Sequence, residues 1–350
     1  MKLLEAMTQT PSIAGREDRL RNLILKHAGG LFDQTRVDSL GSLICHRKPR
    51  NPRIHRKKPK RIMIAAHMDQ IGFMVHHIDP KGFLRVQSVG GFDPRNLFSR
   101  LVTVCTDVQN AKGDLPGVMN PGGKPVHIAS EEDRKRVPEI SDLIIDLGLE
   151  AKQVTPKVHI GDMVVIRAPF MEVGKTIVGQ CLDNRVACWL VIRALEHVQQ
   201  HDCEIYVVFT AQEEVGCRGA GPAADSIQPD IAIALDTTLC VDTPGVDETQ
   251  SVTLQGSGAA LMVMDGRTIA DLGLIEEFEK IAKSKKIKAQ RTILARGGTD
   301  ASTIQSKGPG YRVMSLVCPT RYIHTVTEMI HLDDLYATRD LLAAYLSTTS

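Results

Sequence analysis

Aromatic side chains are scarce: Phe, Tyr and Trp make up 4% of the 350 residues, with one tryptophan, Trp189. That leaves no aromatic-lined platform for a sugar chain and argues against a glucanase. Charge of one sign is lacking too, since 43 Lys/Arg nearly balance 41 Asp/Glu for a net charge of +2. No global field therefore draws the chain to nucleic acid or to a membrane surface. Long apolar runs are absent as well. The longest clean one, Val186–Ile192, is far short of the roughly 20 residues that span a bilayer. Glu5 interrupts what would have to be the apolar core of a signal in MKLLEAMTQTPS, so no secretory signal is read. The eight cysteines form no CxxC pair, and most sit inside apolar segments such as LVTVCTD and SLVCPT. Buried reduced thiols in a cytoplasmic protein are the expectation.

What is present is 43% apolar residues in a chain long enough for two domains. Residues 14–29 read as a helix with Leu20, Leu23, Ile24 and His27 on one stripe and a Gly29-Gly30 stop. Two strands are expected at 42–46 and 61–66. Between Arg47 and Arg61 lie nine of the 43 Lys/Arg and no acid, so the other 34 basic residues face 41 acidic ones. A polyanion or acidic-peptide contact is one reading of that stretch. Three prolines and no aromatics favour the other, a solvated, extended hairpin loop. Residues 71–165 alternate apolar and polar with Gly/Pro punctuation, which predicts a small β-rich domain inserted into the main one. Beyond residue 175, helices at 183–198, 270–285 and 332–347 alternate with apolar strands at 204–210, 230–235 and 312–318. The expected class is α/β: a mixed, mostly parallel sheet covered by helices on both faces, formed by 1–70 plus 166–350, with a barrel-like insert at 71–165.

Chemistry gathers just after the apolar strands. RIMIAA leads to His67 and Asp69, EIYVVFT to Glu213 and Glu214, DIAIAL to Asp236, and RVMSLVC to His324; Asp183 opens the helix before strand 204–210. In a parallel sheet those loops share one rim, where sites are built. Singly, each residue is more often a helix cap, a surface charge or a histidine bonded to backbone. Together, two imidazoles and several carboxylates beside long apolar strands fit metal ligation better than five unrelated coincidences. The count suits two ions, with a bridging carboxylate and one acid left free to handle protons. Glu213 and Glu214 can divide binding and proton transfer between them. Asp69 is placed to accept the second N–H of His67.

These segments resemble a known family. AAHMDQIGFMV, VGQCLDNRVA, TAQEEVGCRGA, ALDTTLCVDTPG, RGGTDAS and PTRYIHTVTEMI look like the signature blocks of the tetrahedral (glutamyl and deblocking) aminopeptidases, dinuclear zinc metallopeptidases. The blocks occur in the family's order, and the resemblance covers nearly the whole chain. It implies that His67 and Asp236 hold one metal and Glu214 and His324 the other. Asp183 would bridge, Glu213 would act as general base and Asp69 would orient His67. Two divalent ions are implied, zinc first, with cobalt or manganese fitting the same ligands. The implied substrates are short peptides, cut at the N-terminus. The insert is expected to pair subunits into dimers, and twelve subunits to close into a hollow tetrahedral particle. Three features depart from the usual pattern. Gln70 stands where many members have Glu, Thr325-Val326-Thr327 replaces a commoner Ser-Pro-Val, and the 47–61 loop is longer.

Two other functions compete. A dinuclear carboxypeptidase or N-acyl amino-acid deacylase would also bring His-x-Asp and Glu-Glu pairs to a sheet edge. The continuous match through VDTPG and RGGTDAS separates this chain from them. A non-catalytic metal-binding scaffold would have lost a ligand or the base, whereas all seven positions are present.

Overall fold

In the computed structural model, which describes residues 1–50 and 58–349, the apolar strands assemble into an eleven-stranded sheet. Its centre is four strands side by side, Glu204–Thr210, Arg61–His67, Ile231–Leu239 and Arg312–Arg321, each parallel to its neighbour. Their unbroken apolar character has a direct cause, because both faces of the sheet are covered. Along Arg61–His67, Ile62, Ile64 and Ala66 enter one core. Met63 and Ala65 enter another on the opposite face. The larger core packs against helices Lys2–Thr8, Asp18–Ala28, Leu182–His197, Leu272–Lys285 and Leu332–Thr348. The smaller is sealed by the short helices Ala220–Ile227 and Ala301–Gln305, whose alanines let them lie close to the sheet.

The expected β-rich insert is a closed six-stranded barrel. Its strands run in the order Gly72–Ile78, Leu84–Val89, Leu143–Asp146, Leu115–Pro121, Arg100–Cys105 and Met163–Ile166. Phe73, Val75, Leu84, Val102, Val104, Met119, Ile145 and Val164 fill it, alternating with outward residues as a half-buried strand requires. The barrel begins five residues after His67, so it hangs beside the rim of the sheet. All eight cysteines are buried and free, as their apolar settings suggested. No helix among the described residues is long and apolar enough to cross a membrane.

Three expectations change. The strands at 42–46 and 61–66, observed as Leu43–Arg47 and Arg61–His67, do not form a hairpin, because Glu204–Thr210 lies between them and pairs with both. A connection that long can step over a strand, which a two-residue turn cannot. Residues 51–57, the middle of the basic 47–61 stretch, lie outside the described residues. The helix expected at 183–198 contains Asp183 only nominally: Asp183 has φ −77° and ψ 107°, and regular helix begins after Asn184. The strand expected to end at residue 235 continues to Leu239, because it keeps pairing with Arg312–Arg321 beyond the point where the His67 strand stops. The helix Lys2–Thr8 and the strand Thr176–Gly179, which pairs with the edge strand Met171–Val173, went unforeseen.

Two of the covering helices meet through Phe278 and Tyr345, whose rings stack with centroids 4.3 Å apart. Phe278 is fully buried. Phe278→Ala removes that ring from a close-packed core and is expected to destabilise the chain by about 3–5 kcal/mol. Urea unfolding checks this; an unmoved midpoint would contradict the packing described.

Candidate active site

The parallel register brings the strand ends level. His67 pairs with Thr210, the last residue before the Ala211–Glu214 turn. Asp236 and His67 each lie two residues past the paired Ala234 and Ala65. The seven residues singled out in the sequence meet here. His67 Nε2 lies 3.2 Å from Asp183 Oδ1, 3.7 Å from Asp236 Oδ1 and 3.8 Å from Glu213 Oε2. His324 Nε2 lies 3.5 Å from Glu214 Oε2 and 3.7 Å from Asp183 Oδ2. Two triads capable of holding a cation follow, His67–Asp183–Asp236 and Asp183–Glu214–His324, each with ligand atoms within 4.8 Å of one another. Asp183 belongs to both.

The turn that carries Glu213 and Glu214 is held by four consecutive amides. Ala211 N donates to Ser42 Oγ and Gln212 N to Glu17 Oε1. Glu213 N and Glu214 N donate to the two carboxylate oxygens of Asp69, each at 3.0 Å. Asp69 was expected to meet His67 with its side chain. His67 Nδ1 lies 3.5 Å from that carboxylate and 3.0 Å from the main-chain oxygen of the same residue. Either contact directs Nε2 at the cradle. Backbone strain concentrates here too. Of eight non-glycine residues with positive φ among the described residues, Cys181, Gln212, Cys217, Tyr322 and His324 flank the triads.

Several residues of the site carried no signal in the sequence reading. Glu328, 2% exposed, accepts from Asp183 N at 3.0 Å and His324 N at 2.9 Å, fixing both turns at once. Arg185 is fully buried and donates to main-chain oxygens of Met7, Met68 and Thr10 and to Gln70 Oε1. Gln70 is thus the side-chain partner of that guanidinium. Asp300 sits behind Glu213, its Oδ2 accepting from Thr210 Oγ1 at 2.5 Å. The quoted block RGGTDAS contains Asp300, but nothing in an isolated Asp marks it as buried. Thr325 and Val326 line a narrow cleft between the cradle and the barrel residues Phe92, Leu97 and Ile166. On the Glu213 side opens a wider trough, rimmed by Arg267 and Arg296.

The electrostatics are those of acids held out of water. Burial pushes Glu213 up to about 7, with Asp300 and Asp69 adding to the rise and His67 opposing it. Burial raises Glu214, Asp236 and Glu328 well above the carboxylate range, with Asp183 adding to each. Burial also lifts Asp300 to about 6 and Glu17 to about 7. Burial works to lower His67, yet Glu213, Asp183, Asp69 and Asp236 hold it well above its usual value. Asp183 alone among the cradle acids is held low despite burial, because it faces His67 and His324. Its Oδ1 is nonetheless buried without a hydrogen bond. A carboxylate shared between two imidazoles, in a set of oxygen and nitrogen donors, fits borderline divalent cations such as zinc.

A family model for the M42 glutamyl aminopeptidases matches residues 41–341. The chain belongs to that family. Its M42 membership makes it an aminopeptidase, with the divalent metal use that goes with the family. Among its relatives is a lysyl aminopeptidase from Pyrococcus furiosus, 30% identical over 99% of this chain and 96% of that protein. An aminopeptidase structure from the archaeon Desulfurococcus kamchatkensis is 34% identical, covers 100% of this chain and 94% of its own, and superposes with a TM-score of 0.91. The Pyrococcus horikoshii TET1 peptidase, described as able to assemble into a tetrahedron or a large octahedral shell, gives 0.86 at 30% identity and covers 99% of both chains.

Raised carboxylate values mean that the metal-depleted folded chain binds more protons than the unfolded chain between the ordinary value, 4.5 for a glutamate, and about 7. Stability therefore falls as pH rises through that window. The melting temperature of the metal-depleted protein should drop from pH 5 to pH 7, and added zinc should restore most at the upper end. A melting temperature that rises over this interval would refute the assignment.

Proposed function

We propose that the chain removes single residues from the N-termini of short peptides using two divalent metal ions, zinc by preference. The observation that carries this reading is the sharing of Asp183 between two triads. His67 and Asp236 would hold one ion, Glu214 and His324 the other, and Asp183 both. When bound, the ions supply Lewis acidity, polarising the scissile carbonyl and acidifying water. Glu213 has one oxygen, Oε1, occupied by the Cys217 thiol at 3.1 Å. Its Oε2, 3.8 Å from His67 Nε2, is the atom left to take the proton of the attacking water and pass it to the leaving amine. Asp69 keeps that oxygen in place through the amides of the turn, and sets the His67 ring through Nδ1. The crowd of carboxylates offers acceptors to a free α-ammonium group that an acylated residue cannot use. This favours aminopeptidase over deacylase chemistry.

The same reading divides the chain into a catalytic part, 1–70 plus 166–350, and the insert, 71–165, as a pairing domain. Leu101, Val118, Val126, Ile128, Val137 and Ile160 are large apolar residues exposed on the insert, surface that a second copy would cover. Dimers closing into a twelve-subunit tetrahedral particle, as the TET1 relative's description allows, would admit only short, unfolded peptides. Buried reduced thiols fit a cytoplasmic setting.

Glu213→Gln should lower kcat on amino-acid p-nitroanilides by roughly 10²–10⁴ with the metal content of the wild type retained. Near-normal turnover would remove Glu213 from its role. Asp183→Asn should instead reduce metal occupancy, measured by elemental analysis; full occupancy would count against a bridge. Light scattering on a sizing column tests the assembly, and a strict monomer at working concentration would defeat it.

A further inference from the structure

Beside the two triads lies a third cluster of metal-ligating groups. We propose that Glu213, Cys217 and Asp300 form a thiolate-containing site for a thiophilic divalent cation. Their ligand atoms lie within 4.8 Å of one another. Cys217 Sγ is 3.1 Å from Glu213 Oε1. Asp300 is 2% exposed; Thr210 occupies its Oδ2, and its Oδ1 is buried without a partner. A buried carboxylate with one oxygen left without a hydrogen bond, grouped with a thiol and a second carboxylate, is a donor set that a cation would satisfy. Glu213 and Cys217 line the open trough, which gives an ion a way in from solvent.

The donor set selects the ion. The two triads offer only nitrogen and oxygen, whereas this cluster adds sulfur, which favours cadmium, or zinc in excess, over magnesium or manganese. On binding, a sulfur–metal bond forms and the thiol proton leaves to solvent. Arg267 works against the site, because its Nη1 is 3.8 Å from Cys217 Sγ. Its side chain is exposed and free to swing towards water. An ion held here would tie up Glu213 and stop turnover, a consequence that rests on the general-base role of Glu213; the binding itself does not.

The test adds cadmium to the zinc-loaded full-length protein and to its Cys217→Ala and Arg267→Gln variants. Equilibrium dialysis counts bound ions, and ultraviolet absorption follows the sulfur-to-cadmium charge-transfer band. Cadmium exchanging into the nitrogen and oxygen triads gives no such band. The wild type should gain one ion beyond those of the two triads, together with the band, and lose activity in step. Cys217→Ala should gain neither, and relative to its own starting rate should need roughly tenfold more cadmium for half-inhibition. Arg267→Gln should bind more tightly. A wild type without the extra ion, or a band undiminished in Cys217→Ala, overturns the site. A Cys217-dependent ion that leaves turnover unchanged upholds the site and counts instead against Glu213 as the base.

Discussion

Confining carboxylates where water cannot reach them is the constraint on which this structure turns. Asp69, Asp183, Glu213, Glu214, Asp236, Asp300 and Glu328 crowd the ends of a few strands, and most are pushed towards their neutral forms by burial. Two imidazoles cannot offset so much negative charge in a low-dielectric setting. Divalent cations can. The sheet supplies the rigidity that keeps the acids together, and the barrel closes one side of the cradle.

The site works as two tiers. Asp183, Asp236, Glu214, His67 and His324 face the cradle, while Asp69, Glu328, Glu17 and Ser42 face backbone amides behind it. The second tier converts ordinary turns into fixed platforms, and it holds the positive-φ residues in place against their intrinsic preferences. Glu328 exemplifies this economy: one buried carboxylate receives the amides of residues 183 and 324, which lie far apart in sequence and together in space.

The sequence made the cradle legible because polar residues placed directly after long apolar strands are conspicuous, and a parallel sheet gathers such positions. His67, Asp236 and His324 were visible for that reason. Glu328 and Asp300 were not, since an acid that accepts buried amides or a hydroxyl looks like any surface acid when only spacing is read. The hairpin expected across residues 47–61 failed for a related reason. Strand identity was written in the apolar runs, but strand order depends on which sheet edge is free, a three-dimensional property. Asp183 was read as the first residue of a helix because the apolar period begins there, whereas its backbone is extended and the regular helix starts only after Asn184.

The grip of Asp69 on two successive amides has an evolutionary corollary. Two neighbouring acids are fastened to one anchor, so neither can drift alone: a change that shifts Glu213 also shifts Glu214. Diversification within this architecture should therefore run through the walls of the cleft and trough, where single replacements leave the anchor untouched, rather than through the reacting groups.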